Sequence, residues 1–360
     1  MSLAYRIRSE QKYNKYSLLI LDKSAKNIND RTWCFWSNKA GIFEDIVHHS
    51  WSTLDYKTTD FVKEMNITPY SYKMIRGLDF YKYVFQFLDT QPNTFFSQET
   101  ILEISESDTK GYVKTTESEF EGSYIFQSYP EKLDTINDHF VWQHFKGWVI
   151  KSPSPIFNPS RAIFMDFRIN QEDDTRFFYV LPTSQTEALV ELAIFSDKIP
   201  ASNYYDSYLS SYLTKQIGIN NWEVLHEEVG AIPMTAYDFQ KTPTNRIVKI
   251  GTHGGAVKAS SGYAFTRIQK QIDMIMSQLD SRKFKFPKKT RYDLYDNILL
   301  NAILTGKTSG KEVFDGLFKK LSAQTIFKFL DGEGSFLTDL KVFTGPPTLP
   351  FVKALLDEIS

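Results

Sequence analysis

Apolar and polar positions follow one another in patterns that predict a chain of mixed strands and helices. Residues 2–9 have the spacing of a helix, and the apolar run Ser17–Asp22 predicts a buried strand that ends on an acid. Residues 93–128 predict a β-meander, and strands dominate residues 139–232. From about residue 263 the pattern is mainly helical. Because the strand regions are interleaved with other segments, we expect domains that share strands.

Composition narrows the class of protein. At 360 residues, the chain suits one large domain or two that pack closely. Its 42 basic and 43 acidic residues give a net charge of -1, which provides no argument for nucleic-acid binding. The single cysteine, Cys34, excludes an intramolecular disulfide and favours a reducing, cytoplasmic location. No Cys/His cluster has zinc spacing, so no metal is expected. No apolar run approaches the roughly 18–20 residues of a membrane span.

The first strand raises the question of a dinucleotide site. A βαβ unit of this kind has a strand that ends in G-x-G-x-x-G, then a helix, then a second strand that ends in Asp or Glu. The chain has the helix and the second strand, which ends on Asp22. An acid after an apolar strand is more often an ordinary loop residue, so Asp22 by itself is a weak signal.

Longer motifs make a more specific pattern. They are DRTWCFW (Asp30–Trp36), MDFR (Met165–Arg168) with YVLP and VEL, EEVGAIPMT (Glu227–Thr235), IGTHGGAVKASSGYAFTRIQ (Ile250–Gln269), YDLYDNILL (Tyr292–Leu300) and FKFLDGEG (Phe327–Gly334). In content and order these motifs resemble the lycopene cyclases, the FAD-dependent β-cyclases of carotenoid synthesis. The resemblance covers essentially the whole chain.

The resemblance implies an α/β fold with α+β character. Its parts are a Rossmann-like FAD-binding flavoprotein fold, an interleaved antiparallel-sheet substrate domain and a helical C-terminal region. The implied segments are 1–60, 93–130 and 236–275 for the FAD-binding domain, 61–92 and 131–235 for the substrate domain, and 276–360 for the helical region. In the family, a G-x-G-x-x-G loop precedes the sequence S-L-A. Ser2–Ala4 would therefore follow the last glycine, and about a dozen residues that contain the phosphate loop are expected to be missing.

A glycine-containing turn between a strand and a helix is the second predicted cofactor contact. Backbone amides at such a turn can hold a phosphate or a flavin carbonyl, although a Gly-Gly turn can equally be structural. The resemblance implies FAD, in reduced form with NADPH as reductant. It places Gly251, Gly254, Gly255 and Val257 near the ribityl chain and ring, with His253 beside them, Asp22 on the adenosine ribose, and Arg31 and Arg76 as cofactor or loop-ordering residues.

Glu191 is the first candidate for acid catalysis. It lies in the alternating run EALVELAIF, on the same strand face as Leu189, Ala193 and Phe195. Burial on an apolar face raises the pKa of a carboxyl group, which suits it to donate a proton. The alternative is an acid at a strand edge. In the family two adjacent acids occupy this place. The first matches Glu191, whereas Leu192 stands where the second would be.

Two further positions could supply the second acid. Asp166 lies within an apolar strand, and a hairpin could bring it near Glu191; the alternative is a buried ion pair with Arg168. Glu228 is the better inward-facing member of the pair that it forms with Glu227, and the alternative is a solvated pair. Gln143 is a candidate polar residue in the wall of the site.

The resemblance implies a lycopene β-cyclase, an intramolecular lyase or isomerase that closes the acyclic ends of lycopene into β-ionone rings to give β-carotene. Cyclisation at one or both ends and the oligomeric state stay open. The alternatives are an aromatic hydroxylase or isoprenoid reductase of the same superfamily, or a non-catalytic carotenoid- or lipid-binding protein.

A carotenoid substrate implies contact with a membrane surface, as a peripheral protein. Residues 282–292 (RKFKFPKKTRY) carry six basic residues and three aromatics without an acid. Basic charge attracts anionic lipid, and aromatic rings favour the interface. The segment is therefore a candidate for docking, and a solvated basic loop between helices is the alternative.

Overall fold

The computed structural model describes residues 1–128, 139–240, 244–286 and 289–359. Its largest unit is a seven-stranded sheet. In spatial order the strands are β16 (Glu223–Thr235), β12 (Phe140–Lys151), β15 (Glu187–Ser196), β14 (Thr175–Pro182), β13 (Arg161–Asp166), β4 (Thr53–Lys57) and β5 (Val62–Asn66). All neighbours are antiparallel except β13 and β4. Residues 167–174 connect the antiparallel strands β13 and β14.

The two faces of this sheet have different partners. Side chains alternate between the faces along each strand. One face packs under helix α3 (Ser202–Tyr212), with Phe178 stacked on Tyr212 at a ring-centroid distance of 3.9 Å. The other face carries a large aromatic core that includes Phe164, Phe177 and Tyr179. This second face carries the candidate site.

A group of smaller sheets forms the Rossmann-like part. Parallel pairs are made by β1 (Leu18–Asp22) with β7 (Thr94–Gln98) and by β11 (Ile125–Gln127) with β17 (Ile247–Lys249). A meander is made by β8 (Ile101–Glu106), β9 (Gly111–Thr115) and β10 (Glu119–Gly122). A third sheet has β6 (Ser71–Arg76) between β2 (Thr32–Ser37) and β3 (His49–Trp51). Helices α1 (Ser2–Arg8) and α2 (Gly77–Leu88) pack beside these sheets.

The predicted β-meander is confirmed for its central strands, but the strands at its two ends pair elsewhere. Strands β8 to β10 form it around the turn at Asp108–Gly111. Residues 123–128 were expected to close it, but β11 pairs instead with β17, which follows it by more than 100 residues. The first strand of the predicted region, β7, pairs with β1. Parallel pairing with distant strands leaves no local sequence signal, which explains the difference.

The C-terminal part is helical, as predicted. Its helices are α4 (Phe265–Gln278), α5 (Arg291–Leu304), α6 (Gly310–Lys320), α7 (Ala323–Leu330), α8 (Phe336–Phe343) and α9 (Thr348–Ile359). Thr290 with Asp293 and Ser309 with Glu312 form capping boxes at α5 and α6. Across the ranges that the structure describes, no helix combines the length and apolar character needed to cross a membrane. The predicted domain boundaries stay a prediction, although β4, inside the first predicted segment, belongs to the seven-stranded sheet.

The basic segment 282–292 has its aromatic rings directed into the protein. Phe284 packs edge-on against Tyr124 and Phe126, with centroids 5.2 and 5.5 Å apart, and Tyr292 is buried. Lys289 donates to the carbonyl of Ala236 at 2.9 Å. Lys288 lies outside the described residues. Phe284 and Phe286 are only partly buried, so docking of this segment on a membrane stays a prediction.

Candidate active site

Glu191 and Glu228 meet over a glycine near one edge of the large sheet. Gly147 on β12 pairs with Glu191 on β15 and with Glu228 on β16. Residues directly opposite one another on neighbouring strands share a face. A Cβ atom on Gly147 would lie 3.2 Å from Glu191 Oε2 and 2.9 Å from Leu189 Cδ1. The missing side chain leaves the space in which the two carboxyl groups form a hydrogen bond.

The environment raises the pKa of both carboxyl groups, and it raises that of Glu191 further. Burial, and then the charge of Glu228, raise the pKa of Glu191 well above its usual range. Burial also raises the pKa of Glu228, but hydrogen bonds from Thr32 and Glu191 oppose that increase. Glu228 is 4% exposed, whereas Glu191 keeps some exposed surface although protein atoms enclose it. The pKa of Glu191 is therefore raised further than that of Glu228, and Glu191 is the member of the pair with the more exposed surface.

The raised pKa of Glu191 predicts how stability depends on pH. Above the ordinary carboxyl range the unfolded chain loses a proton that folded Glu191 keeps, so the free energy of unfolding falls as pH rises toward the folded pKa. The slope is about 1.4 kcal/mol per pH unit for one proton. Urea unfolding at several pH values measures it. We expect Glu191→Gln to remove this contribution and Glu187→Gln, at the strand end, to preserve it. Equal slopes in all three proteins would contradict the assignment.

A row of hydroxyl and aromatic groups borders the acid pair. Tyr179 on β14 is the cross-strand partner of Glu191. Its hydroxyl lies 3.4 Å from that of Tyr263, which lies 3.1 Å from the hydroxyl of Tyr72. Trp36 packs against Tyr263 at 4.5 Å between ring centroids and stacks on Phe327. These rings give the acid pair a largely apolar wall with a few polar tips.

Strand β2 supplies the opposite side of the site. Thr32, Cys34 and Trp36 alternate along it, so their side chains share a face. The Thr32 hydroxyl donates to Glu228 Oε2 at 2.6 Å. Burial and then the carboxyls of Glu191 and Glu228 raise the pKa of Cys34, which places its thiol near the pair. In the motif DRTWCFW, the sequence analysis named only Arg31 as a candidate. The alternation of side chains along a strand would also have indicated Thr32 and Cys34.

Asp166 lies on the other face of the sheet. It aligns with Phe178 on β14, which aligns with Leu192 rather than with Glu191. Its carboxylate accepts hydrogen bonds from Arg168 Nη2 at 2.6 Å and from the Tyr212 hydroxyl at 2.7 Å. The expectation that Asp166 approaches Glu191 is wrong, since a shift of one residue on a strand reverses the face. Asp166 instead links β13 to α3.

The directions of Glu227, Glu228 and Gln143 follow from the alternation of side chains along their strands. Glu227 points outward and pairs with Lys146 at 3.2 Å, while Glu228 points inward, as expected. Gln143 is buried, and its Oε1 atom lies against Gly262, where a Cβ would come within 1.7 Å of it. Gln143 therefore connects the site face of the sheet to the glycine-containing turn.

The glycine-containing turn is tightly wound between β17 and α4. Gly251 and Gly255 have φ values of 67° and 80°, in the left-handed region that favours glycine. A Cβ on Gly254 would lie 2.5 Å from the Lys249 carbonyl group. His253 and Val257 lie on the same turn and are partly buried.

Several buried polar atoms on this turn indicate that it suits a polar ligand. Within the described residues, the hydroxyls of Ser260 and Ser261 and the Nε atom of Arg267 have no hydrogen-bond partner. Buried polar groups normally have partners. Unused donors at a turn that leads into a helix are compatible with the polar edge of a flavin, so the residues present fit FAD.

The remaining predicted cofactor residues lie around β1 and β2. Asp22 accepts from the backbone amide of Ser24 and pairs with Lys26, both at 2.9 Å. Arg31 pairs with Asp30 at 2.9 Å. Arg76 pairs with Asp79 at 2.6 Å at the start of α2 and is 44% exposed. Their roles toward a cofactor stay predictions.

The fold and site define the class of protein. The chain is similar to a geranylgeranyl bacteriochlorophyll reductase-like protein from Thermoplasma acidophilum, with a TM-score of 0.62 and 10% identity over 99% of this chain and 96% of that one. It is also similar to a flavoprotein/dehydrogenase from Cytophaga hutchinsonii, with a TM-score of 0.59 and 10% identity over the same shares. The chain therefore has a flavoprotein fold, as predicted.

The sequence places the chain more narrowly. The family model for lycopene cyclase protein matches residues 1–356, so the chain belongs to the lycopene cyclase family. A lycopene beta-cyclase from Pseudescherichia vulneris is 22% identical over 373 residues, covering 98% of this chain and 92% of that protein. The family resemblance seen in the motifs is confirmed.

Proposed function

We propose that the protein is an FAD-dependent lycopene β-cyclase in which Glu191 supplies the proton. The observation that carries this proposal is the buried, interacting pair of Glu191 and Glu228 on neighbouring strands, beside an aromatic wall that includes Tyr179, Tyr263 and Trp36. Family membership supports an acyclic carotenoid as substrate. The similarity to a lycopene beta-cyclase from Pseudescherichia vulneris supports the β ring.

The acid pair is suited to a reaction that uses a proton and returns it. Glu191 donates its proton to the terminal double bond of the polyene, which produces a tertiary carbocation. The neighbouring double bond attacks that cation and closes a six-membered ring. Loss of a proton from the adjacent ring carbon to the acid pair gives the β-ionone end. One proton enters and one leaves, so substrate and product have the same mass and no net electrons move.

The surroundings of the pair help this chemistry in two ways. Ionised Glu228 is a fixed negative charge near the place where positive charge develops, and such preorganised charge lowers the barrier. The faces of Trp36 and Tyr263 are electron-rich and attract a cation. The enclosing aromatic core keeps water from capturing the carbocation.

FAD would be held by Asp22, Arg31 and the turn that contains Gly251, Gly254, Gly255 and Val257, with His253 and Arg76 as further candidates. When bound in the reduced form, with NADPH as reductant, it supplies electron density beside a cation without net redox change. The chain's own part would be to bind and orient the flavin through these residues.

Expression in a host that accumulates lycopene tests the function. We expect conversion to a yellow-orange product of unchanged mass, detected by chromatography with mass spectrometry. A hydroxylase would add oxygen and a reductase would add hydrogen, so a mass change would support those alternatives. Unchanged lycopene that copurifies with the protein would support a binding protein and contradict the cyclase.

The outer faces of α8 and α9 are the surface that we propose for contact with a bilayer. Phe336 and Leu337 on α8 are 62% and 77% exposed, and Leu349 on α9 is 66% exposed. Lys341 and Lys353 are exposed on the same two helices. Exposed apolar side chains beside lysines match an anionic interface.

Flotation with vesicles of phosphatidylcholine and phosphatidylglycerol measures this association. We expect the double variant Leu337→Glu, Leu349→Glu to lose at least half of the bound fraction, because it places charge where apolar groups would insert. Leu102→Glu alters a 57% exposed leucine on the meander and serves as the matched control. Equal flotation of all three proteins would rule out this surface.

A further inference from the structure

Thr32 on β2 makes a direct contact with the acid pair. Its hydroxyl lies 2.6 Å from Glu228 Oε2. Glu191 reaches Glu228 from the other side, across Gly147. Glu228 thus receives one contact from a neutral hydroxyl and one from a carboxyl group.

We propose that Thr32 is a positioning residue that holds Glu228 in the ionised form and thereby leaves the transferable proton on Glu191. A hydroxyl donates most strongly to an ionised oxygen. Two donors aimed at one carboxyl group favour its ionised form, and Glu191 can act as a donor only while it keeps its proton. The inference rests on the proposed function for its catalytic meaning, but the location of the proton can be measured without catalysis.

Other charged groups near Glu228 shift its pKa in opposite directions. His226, on β16 itself, favours the ionised form, and Asp30, just before β2, disfavours it. The negative charge of Asp30 is partly compensated by Arg31 and by a hydrogen bond from the Tyr81 hydroxyl at 2.7 Å. Cys34, the next inward residue on β2, is a neutral thiol, because its pKa is raised. Because these charges oppose one another, the hydroxyl of Thr32 determines which of the two carboxyl groups carries the negative charge.

Removal of the hydroxyl should therefore change the titration of the pair. In Thr32→Val, which keeps the shape of the side chain, ionised Glu228 loses a donor. The first ionisation of the pair then moves to higher pH by about one unit. Since the reactive form has Glu228 ionised and Glu191 protonated, the acidic limb of kcat/KM against pH should move by the same amount. Thr32→Ser keeps a hydroxyl and should restore the original profile.

The experiment uses the full chain and two independent readouts. Infrared difference titration follows the carbonyl band of the protonated carboxyl group, with Glu191→Gln used to assign it, and the cyclisation assay gives the rate profile. Ser37→Ala, at the far end of β2, removes a hydroxyl that contacts the Lys39 carbonyl and is the matched control. Thr32→Ala provides a second deletion if the valine variant does not fold.

The outcomes separate this inference from the proposed function. A shifted infrared titration in Thr32→Val, absent in Thr32→Ser and Ser37→Ala, supports the role of Thr32 even if no variant and no parent protein cyclises lycopene. An unchanged titration in both deletion variants overturns it, whether or not the parent protein is an active cyclase.

Discussion

Glu191→Gln is expected to reduce cyclisation at least about 100-fold, because general acid catalysis contributes roughly 100- to 10,000-fold and the amide of glutamine is not acidic enough to transfer a proton. Glutamine has the same shape as glutamic acid and can still donate to Glu228 across Gly147. The fold and any flavin absorbance should therefore be retained. Product formed per mole of folded protein, measured by chromatography, decides the result.

Two neighbouring acids serve as controls for this substitution. Glu187 lies at the end of the same strand, and Glu227 lies beside Glu228 but points outward toward Lys146. Glu187→Gln and Glu227→Gln should retain activity within about two-fold, since surface substitutions seldom matter. Full turnover by Glu191→Gln would remove this residue from the role of proton donor.

Lys258→Met is expected to lower the free energy of unfolding by about 3–5 kcal/mol, because it leaves Asp296 buried without its partner. Lys258 Nζ lies 2.5 Å from Asp296 Oδ1, and the two residues are 2% and 5% exposed. The lysine lies on the glycine-containing turn, and the aspartate is on α5. The backbone amide of Lys258 also donates to the carbonyl of Tyr263 at 2.9 Å. The ion pair thus connects the predicted cofactor turn and the aromatic wall to the C-terminal helices.

A double variant tests whether the loss comes from an unpaired charge. Replacement of a buried ion pair by apolar groups of similar volume is often neutral. Lys258→Met with Asp296→Leu should therefore recover most of the stability that Lys258→Met loses, as measured by urea unfolding. Lys311→Met, in a more exposed pair with Asp315, should cost less than about 1 kcal/mol. If Lys258→Met costs no more than Lys311→Met, the buried pair has no special role in stability.

The local pattern of the chain was enough to predict most elements and one feature of the site. Side-chain alternation along a strand is a local property, so the inward direction of Glu228 and the placement of Glu191 among apolar neighbours could be deduced from their own strands. Serine and threonine before helical runs likewise predict the starts of α5 and α6. Long motifs were sufficient to indicate the family.

Only the tertiary structure determines that Glu191, Glu228 and Thr32 lie next to one another. Strand β12 lies between β15 and β16, so Gly147 separates the two acids, while a shift of one position places Asp166 on the opposite face. Thr32 and Tyr263 come from chain segments far from either acid. Strand order and register depend on the packing of distant segments, and no local period encodes them. The sequence by itself therefore determined the strand faces of Glu191 and Glu228, and the fold determined that these two acids meet.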